Sequence, residues 1–249
     1  MLNVILHGAS GAMGHALAEA IAARNDIHVV CGVDPRGGQA AFPIYQSLAQ
    51  CPQANVVIDF STASAVPALV DYCVAKKLPL VVCTTALSPE TLAAIDDAAA
   101  HIPVFRSANM SLGINLLISL LKKAAPVLAD AGFDIEIVER HHNQKIDAPS
   151  GTALMLADAI NGALDEKYHY VYDRSQTHEK RTSTEIGIHS LRGGNIAGDH
   201  EVVFAGQNEI VSLSHHAGSK AVFANGAIQA ALFLAKQAPG LYDMSCLLG

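Results

Sequence analysis

The chain has 249 residues, of which 51% are hydrophobic and 16% charged, a balance that indicates a well-buried globular protein and excludes a disordered one. Its formal net charge of -7 provides no basic footprint, so nucleic acid is excluded as an expected partner. Five cysteines form no C-x-x-C pair, the chain starts without a signal segment, and no apolar run reaches the ~18 residues of a membrane span. These features predict a soluble, reduced, cytoplasmic protein without a membrane partner.

The first half of the chain alternates short strands with helices. The strand Leu2–His7 runs into the glycine turn 8–14, a helix is predicted at 15–24, and a second strand, Ile27–Val33, ends at Asp34. The alternation continues with strands at 56–60, 80–83 and 103–106 and helices at 65–76 and 89–101. Short strands separated by helical patterns predict an α/β domain with a doubly wound parallel sheet of the Rossmann type.

The rhythm changes after Ser111. A long apolar helix at 114–128, a strand at 134–140 and a helix at 153–163 precede an ambiguous polar segment at 168–183 and a strand-like stretch at 184–214 with glycine breaks. This order predicts a second α+β domain with a mixed, largely open sheet. The last apolar helix, at 220–237, is expected to pack back onto the first domain. The predicted domains are therefore 1–111 with 220–249, and 112–219.

The turn Gly8-x-x-Gly11-x-x-Gly14 is a variant of the dinucleotide-binding fingerprint. Its glycines allow the backbone to approach a pyrophosphate at the start of the following helix. Asp34 closes the second strand about 20 residues later, where a carboxylate accepts hydrogen bonds from ribose hydroxyls and favours NADH. Arg36 is placed to neutralise a 2′-phosphate, so NADPH stays open. The alternative interpretation of residues 34–38 is an ordinary polar turn.

Other polar residues follow the later strands of the predicted sheet. Asp59-Phe60-Ser61, Thr84-Thr85 and Ser107-Ala108-Asn109-Met110 each come at a strand's carboxyl end. Ligands of open α/β sheets bind along that edge, so these segments are predicted to line the cofactor site. For Asp59, capping of the next helix is an alternative.

Residues 139–153 are the most informative stretch of the chain. His141 and His142 can exchange protons near neutral pH, and Lys145 carries a mobile positive charge. Ser150-Gly151-Thr152 opens a helical pattern, so free backbone N–H groups are expected there. A helix start beside a lysine suits a carboxylate or phosphate. The stretch therefore predicts an anion site with proton donors attached.

Two alternatives concern the histidines. Adjacent residues of a strand point to opposite faces, so His141 and His142 enter one site only if the strand has ended, and one of them can be structural. The pair His215-His216, with His189 and His200, raises the possibility of a metal. No carboxylate or thiolate stands at ligand spacing, so we predict no metal site.

Through nearly its whole length the chain resembles the dihydrodipicolinate reductase family. The resemblance rests on Gly8–Gly14, Asp59-Phe60-Ser61, Thr84-Thr85, Asn109 with Ser111-x-Gly113-x-Asn115, His141-His142-x-x-Lys145-x-Asp147-Ala148-Pro149-Ser150-Gly151-Thr152, Arg192-Gly193-Gly194-x-Ile196-x-Gly198-x-His200 and Phe223-Ala224-Asn225-Gly226-Ala227. It implies NADH- or NADPH-dependent reduction of a cyclic dicarboxylate, 4-hydroxy-tetrahydrodipicolinate, to tetrahydrodipicolinate with loss of water, in lysine and diaminopimelate biosynthesis. It also implies nucleotide on the first domain, substrate on the second, and a homotetramer formed through the second domain's sheet.

Residues and resemblance together give the predicted site. The bound dicarboxylate needs two anion sites, and the negative charge left on the ring after hydride addition needs an acid, for which His141 and Lys145 are the candidates. By resemblance His141 is the general acid and Lys145 polarises and binds the substrate; both are the predicted catalytic residues. The substrate contacts are His142, Lys145, Ser150, Gly151 and Thr152. The cofactor contacts are Gly8, Ser10, Gly11, Ala12, Met13, Gly14, Asp34, Phe60, Cys83, Thr84, Thr85, Ser107, Ala108, Asn109 and Met110.

The chain departs from the family pattern at four places. Cys83 and Ala86 replace the glycines of a Gly-Thr-Thr-Gly turn. Their side chains reduce the space at both ends of the turn. Lys220 stands where many members have an arginine, which keeps the charge but loses bidentate carboxylate pairing. Thr62 and Ala63 follow the Asp-Phe-Ser motif in place of an arginine, which removes one phosphate contact.

Two other functions remain open from the sequence. An aspartate-semialdehyde dehydrogenase would need a thiolate nucleophile, for which Cys83 is the best-placed candidate. A nucleotide-sensing protein without catalysis would explain residues 8–14 but not the coincidence of His141, Lys145 and the Ser-Gly-Thr helix start.

Overall fold

The computed structural model describes residues 1–175 and 178–248. It divides the chain into two compact units. The first consists of Met1–Leu112 together with the chain from Lys220 onward, and the second of Gly113–Ser219. The predicted boundary, between residues 111 and 112, lies one residue from the observed one.

The first unit is a parallel sheet of seven strands with helices on both faces. Its strands are β1 Leu2–His7, β2 Ile27–Val33, β3 Ile44–Tyr45, β4 Val56–Asp59, β5 Leu80–Val82, β6 Pro103–Arg106 and β12 Gly240–Tyr242. The spatial order is β12-β6-β5-β4-β1-β2-β3, and every neighbouring pair is parallel. Its helices are α1 Ala12–Ala22, α2 Val66–Lys76, α3 Pro89–Ala98 and α6 Ala221–Leu234, with 3-10 turns at Leu48–Gln50, Ala63–Ala65 and Met244–Leu247.

Alternate residues of the strands feed two hydrophobic cores. Leu6 and Ile58 pack with α1 and α6 on one face, whereas Ile5 and Val57 pack with α2 and α3 on the other. This two-sided burial explains why the strands are almost continuously apolar. The predicted Rossmann-type sheet and the return of the last helix to this unit are confirmed. The sequence did not predict β3 and β12, which are only two and three residues long.

The second unit is a mixed sheet of five strands covered by two helices. Its strands are β7 Asp134–His141, β8 His169–Val171, β9 Glu185–Arg192, β10 Asp199–Ala205 and β11 Ile210–His216, in the order β11-β10-β7-β9-β8. The pairs β7–β9 and β9–β8 are parallel, and β10 is antiparallel to both of its neighbours. Helices α4 Leu112–Asp130 and α5 Gly151–Ala163 contribute to its core. The predicted mixed sheet is confirmed; of the ambiguous segment at 168–183, residues 176 and 177 lie outside the described residues.

Helix α4 is the one element that departs from the prediction about membranes. Within the described residues it is long and apolar enough, at 19 residues and a mean hydropathy of 1.5, to cross a membrane. Core helices of globular proteins can reach the same length and hydropathy, so one such helix is weak support for a membrane span. Leu117, Leu121 and Ala125 of α4 are buried in the second core, while Leu116 and Leu120 are exposed.

Candidate active site

The carboxyl ends of five neighbouring strands of the first unit carry the predicted cofactor residues. The glycine turn follows β1, Asp34 follows β2, Phe60 follows β4, Thr84 follows β5, and the segment 107–110 follows β6. Because these strands are parallel and adjacent, the five segments come to one edge of the sheet. That edge is where the sequence predicted the nucleotide.

The glycine turn has the close packing that a dinucleotide cradle requires. Gly8 has a φ of +81°, and a Cβ added to it would lie 2.5 Å from the carbonyl oxygen of Phe60. A Cβ on Gly14 would lie 2.5 Å from the Gly8 and Ala9 oxygens. Gly11 begins α1 as its N-cap and makes no side-chain cap, so the first amides of the helix stay available to an anion. The turn therefore fits the pyrophosphate of NADH or NADPH.

Asp34 is 3% exposed, and its carboxylate is already hydrogen-bonded to neighbouring groups. Its carboxylate accepts hydrogen bonds from the Ser10 amide at 3.2 Å and from the Arg36 side chain at 3.0 and 3.2 Å. The Arg36 side-chain hydrogen bonds lower the pKa of Asp34 below its usual value. The predicted ribose acceptor and the predicted 2′-phosphate partner are thus bonded to each other, and this geometry alone favours neither NADH nor NADPH.

Asp59 organises the centre of the same edge and is fully buried. It accepts hydrogen bonds from the Thr84 hydroxyl at 2.7 Å and the Ser61 amide at 3.2 Å, and it contacts the His7 Nδ1 atom at 2.8 Å. The N-cap of the following 3-10 turn is Thr62, so Asp59 does not cap it. Sequence reasoning missed the partner His7, which ends β1 beside β4.

The remaining predicted cofactor residues differ in which of their atoms a cofactor could contact. Ser107 donates to the Asn109 carbonyl at 2.8 Å, and the Asn109 side chain accepts from the Ser111 amide at 2.9 Å, so the segment after β6 is held by its own side chains. Met110 and Cys83 are buried in the first core. A cofactor would therefore meet these two residues only through their main chain.

The second unit gathers the predicted acid and its surroundings on one face of the sheet. Glu139 and His141 are two residues apart on β7 and are both buried, as are Ile135 and Ile137 on the same face. In the sheet register His200 of β10 is opposite Glu139, and Arg192 of β9 is opposite His141. Three neighbouring strands therefore place these four polar side chains next to each other, above the apolar core.

Glu139 is the centre of this cluster. Its carboxylate accepts two hydrogen bonds from Arg192, at 2.7 and 2.8 Å, one from the Ser150 amide at 3.1 Å, and one from His141 Nδ1 at 2.6 Å. Burial raises the pKa of this carboxyl, but the hydrogen bonds from Arg192 and His141 outweigh it and bring the pKa to about 2. Glu139 is consequently an ionised acceptor at neutral pH, which requires His141 to carry a proton on Nδ1.

His200 forms the other side of the cluster and is uncharged. Its Nε2 is 2.9 Å from the Ser150 hydroxyl, and its ring lies edge-on to that of His141 with centroids 5.2 Å apart. Burial, together with the nearby His141, lowers the pKa of His200 to about 4. Within the described residues its Nδ1 atom is buried without a hydrogen-bond partner, so a second ring proton would find no acceptor.

The loop after β7 carries Lys145, the positively charged residue predicted to bind the substrate. The strand ends at His141, and the His142 amide donates to the Ile196 carbonyl at 2.8 Å, so His142 lies just beyond the strand. Lys145 donates to Asp147 at 2.8 Å, and the hydrogen bond from Lys145 lowers the pKa of Asp147. The lysine is thus close to the histidines but paired with a surface carboxylate.

The start of α5 divides the predicted anion residues into two groups. Ser150 is the N-cap: its hydroxyl accepts from the Ala153 amide at 3.1 Å, and the residue is 2% exposed. Because its amide is bonded to Glu139 and its hydroxyl to Ala153 and His200, the groups of Ser150 are already engaged. Gly151 is exposed, with nothing within 4 Å of an added Cβ, and Thr152 is half-buried, so an anion would meet the helix there.

The other histidines do not assemble a metal site within the described ranges, where no group of three potential ligands was found. His216 lies 3.3 Å from Asp199, and His189 lies 2.8 Å from Glu136. His215 is opposite His200 in the sheet register. These histidines interact with other residues of the second sheet.

Comparison with known proteins agrees with this arrangement. Family models described as dihydrodipicolinate reductase, N-terminus and C-terminus, match residues 2–110 and 113–248. The 4-hydroxy-tetrahydrodipicolinate reductase of Caldanaerobacter subterraneus subsp. tengcongensis is 53% identical over 98% of this chain and 97% of the relative, and that of Clostridium tetani is 47% identical over 100% and 97%. A dipicolinate-bound dihydrodipicolinate reductase from Paenisporosarcina sp. TG-14 shares the fold, with a TM-score of 0.82 at 23% identity over 98% and 97% of the two chains. The chain belongs to the dihydrodipicolinate reductase family.

Proposed function

We propose that the chain reduces 4-hydroxy-tetrahydrodipicolinate to tetrahydrodipicolinate with NADH or NADPH, in lysine and diaminopimelate biosynthesis. The observation that carries the proposal is the cluster in the second unit, where an acid held by a buried carboxylate, a lysine and a helix N-terminus occur within residues 139–152. In the overall reaction one hydride and one proton are added and one molecule of water leaves.

The chain's own residues have distinct functions in this proposal. When bound, NADH or NADPH supplies the hydride. Lys145 exchanges Asp147 for a substrate carboxylate, and the main chain of Gly151 and Thr152 at the start of α5 binds a carboxylate with help from the helix dipole. His142 lies beside Lys145 and adds a polar contact. His141 donates the proton that neutralises the charge left on the ring.

The test is the oxidation of NADH or NADPH by the purified chain in the presence of enzymatically generated 4-hydroxy-tetrahydrodipicolinate. We expect absorbance of the reduced cofactor to fall only when that substrate is present. Lys145→Ala should lower kcat and raise KM, whereas His141→Ala should act mainly on kcat. Lys122→Ala, on α4, is the matched lysine control. Unchanged absorbance with folded wild-type protein would refute the proposal.

The alternative dehydrogenase is not favoured. Aspartate-semialdehyde chemistry needs a thiolate, but Cys83 is 7% exposed, and burial together with Asp59 raises the pKa of its thiol far above the usual value. Aspartate semialdehyde with phosphate and NADP⁺ is the control substrate. A sensor without catalysis would bind NADH yet oxidise none of it.

Assembly and location follow the same family. We propose a homotetramer formed through the second sheet. Leu191 and Ile210 are both more than half exposed. The sheet register puts them on the same face as Arg140 and Asp134, and this face does not contribute to the second core. Light scattering of the purified chain tests the tetramer. A cytoplasmic location suits the proposed reaction, and fractionation of the cells that make the protein tests it.

A further inference from the structure

Glu139 neither binds the substrate nor transfers a proton in the chemistry proposed above, yet its side chain is fully buried. Removing a carboxylate from water is costly unless hydrogen bonds and an opposite charge replace the water. Arg192 provides both, through two hydrogen bonds, and the Ser150 amide provides a third. Replacing a buried ion pair by apolar side chains is often neutral or stabilising, so stability alone does not explain Glu139.

The contact that stability does not explain is the one with His141. Glu139 Oε2 lies 2.6 Å from His141 Nδ1, and both side chains are on the same face of β7. Since Glu139 stays ionised, Nδ1 remains the donor in this pair whether His141 is neutral or protonated. The only ring atom that can gain or lose a proton is then Nε2.

The space at Nε2 is kept open by a glycine. A Cβ added to Gly198, which precedes β10, would lie 3.0 Å from His141 Nε2. A side chain at this position would occupy the place from which a proton acceptor must approach. Gly198 and Glu139 thus act on opposite ring nitrogens, one leaving Nε2 accessible and the other holding Nδ1.

We infer that Glu139 is the positioning residue of the reaction, which fixes the Nδ1–H tautomer of His141 and so directs the transferable proton to Nε2. The inference rests on the proposed function of His141 as the acid. Arg192 keeps Glu139 ionised and in place. Within the described residues, neutral His200 lies beside the pair with Asp199 and His215 near it, and the Asp147 carbonyl accepts from Arg192 at 2.6 Å.

The test compares Glu139→Gln with Glu136→Gln. Glu136 lies on the same strand and has an arginine and a histidine partner of its own, Arg181 at 3.2 Å and His189 at 2.8 Å, but it faces away from His141. Nitrogen NMR of the full-length chain, with the His141 signal assigned by its loss in His141→Gln, reports the tautomer without any turnover. Steady-state kinetics across pH is measured on the same proteins.

We expect wild-type protein and Glu136→Gln to show His141 protonated on Nδ1, and Glu139→Gln to show a mixture of tautomers. In Glu139→Gln, kcat should fall by roughly 10²-fold with KM changed by less than about threefold.

Three outcomes would overturn the inference: an Nε2–H tautomer in neutral wild-type protein, an unchanged tautomer in Glu139→Gln, or equal kinetic losses in the two glutamine variants. If Glu139→Gln fails to fold, Arg192→Lys takes its place, since it keeps the charge but loses the paired hydrogen bonds and should give an intermediate loss of kcat. Absence of turnover in wild-type protein with the expected tautomer would refute the proposed function instead.

Discussion

Replacing His200 with glutamine should reduce the acid sensitivity of the second unit. His200 is 4% exposed, and its burial lowers its pKa from 6.5 to about 4. The unfolded chain therefore binds a proton at this residue below about pH 6.5, whereas the folded chain does not until about pH 4. Because the unfolded state holds more protons in this window, the free energy of unfolding decreases as the pH falls through it.

The size of the effect follows from the same values. At pH 4.5 the wild-type second unit should have lost roughly 2.5 kcal/mol relative to neutral pH through His200 alone. Glutamine does not titrate and can still reach the Ser150 hydroxyl, so the variant should lack this loss. Glu139, whose pKa is about 2 in the folded protein, also loses stabilising free energy as the unfolded chain gains its proton near pH 4.5, but it is present in both proteins and its contribution cancels in their comparison.

Native-state hydrogen exchange of β7 and β10 amides measures the second unit by itself. Comparing wild type and His200→Gln at the same pH cancels the intrinsic exchange rates. Between pH 7 and pH 4.5, wild-type protection should fall by about 10²-fold more than that of the variant. His28→Gln, which replaces an exposed histidine of β2, is the control. Equal pH dependence in wild type and His200→Gln would show that His200 does not carry the acid sensitivity.

Three further predictions concern other parts of the chain. Ser150→Ala should lower the free energy of unfolding by about 1–2 kcal/mol, because the α5 cap is lost, and leave KM nearly unchanged; a large rise in KM would instead assign Ser150 to substrate binding. Arg36→Ala should raise the KM for NADPH by about tenfold with little change in the KM for NADH. Equal changes in both KM values would show that Arg36 does not bind the 2′-phosphate. Ala86 has a φ of +56°, so Ala86→Gly should be neutral or stabilising by up to about 1 kcal/mol in thermal unfolding, whereas the helical Ala93→Gly should cost about that much.

The strand-and-helix order of the first unit could be predicted because its signals are local. Leu2–His7 and Ile27–Val33 have the predicted bounds, since buried parallel strands are continuous apolar runs bounded by turn residues. Helix starts were less predictable: α1 begins at Ala12 rather than residue 15, because Gly11 caps it without a polar side chain. The two-residue strand β3 depends on its neighbour β2 and has no signal of its own.

The candidate site was only half predictable for a related reason. His141, Lys145 and the start of α5 lie within one short stretch, so their proximity is visible in the sequence. Arg192 and His200 are more than 50 residues away from Glu139, and they reach it only through the pairing of β9 and β10 with β7. No local pattern gives that register. The period of two along β7 could have shown that Glu139 shares the face of His141, which was the one available signal.

The division of work between the two adjacent histidines follows from where β7 ends. His141 is the last residue of the strand, so its ring is directed with Glu139 toward the buried face and is fixed by that carboxylate. His142 lies past the strand, is half-buried, and is tied through its main chain to Ile196 and the Lys145 amide. A general acid needs a fixed donor atom, whereas a charged substrate can be bound by a side chain on a loop. On these requirements we propose proton transfer for His141 and substrate contact for His142. Exchanging the two functions would require Glu139 to act on the opposite side of the strand end.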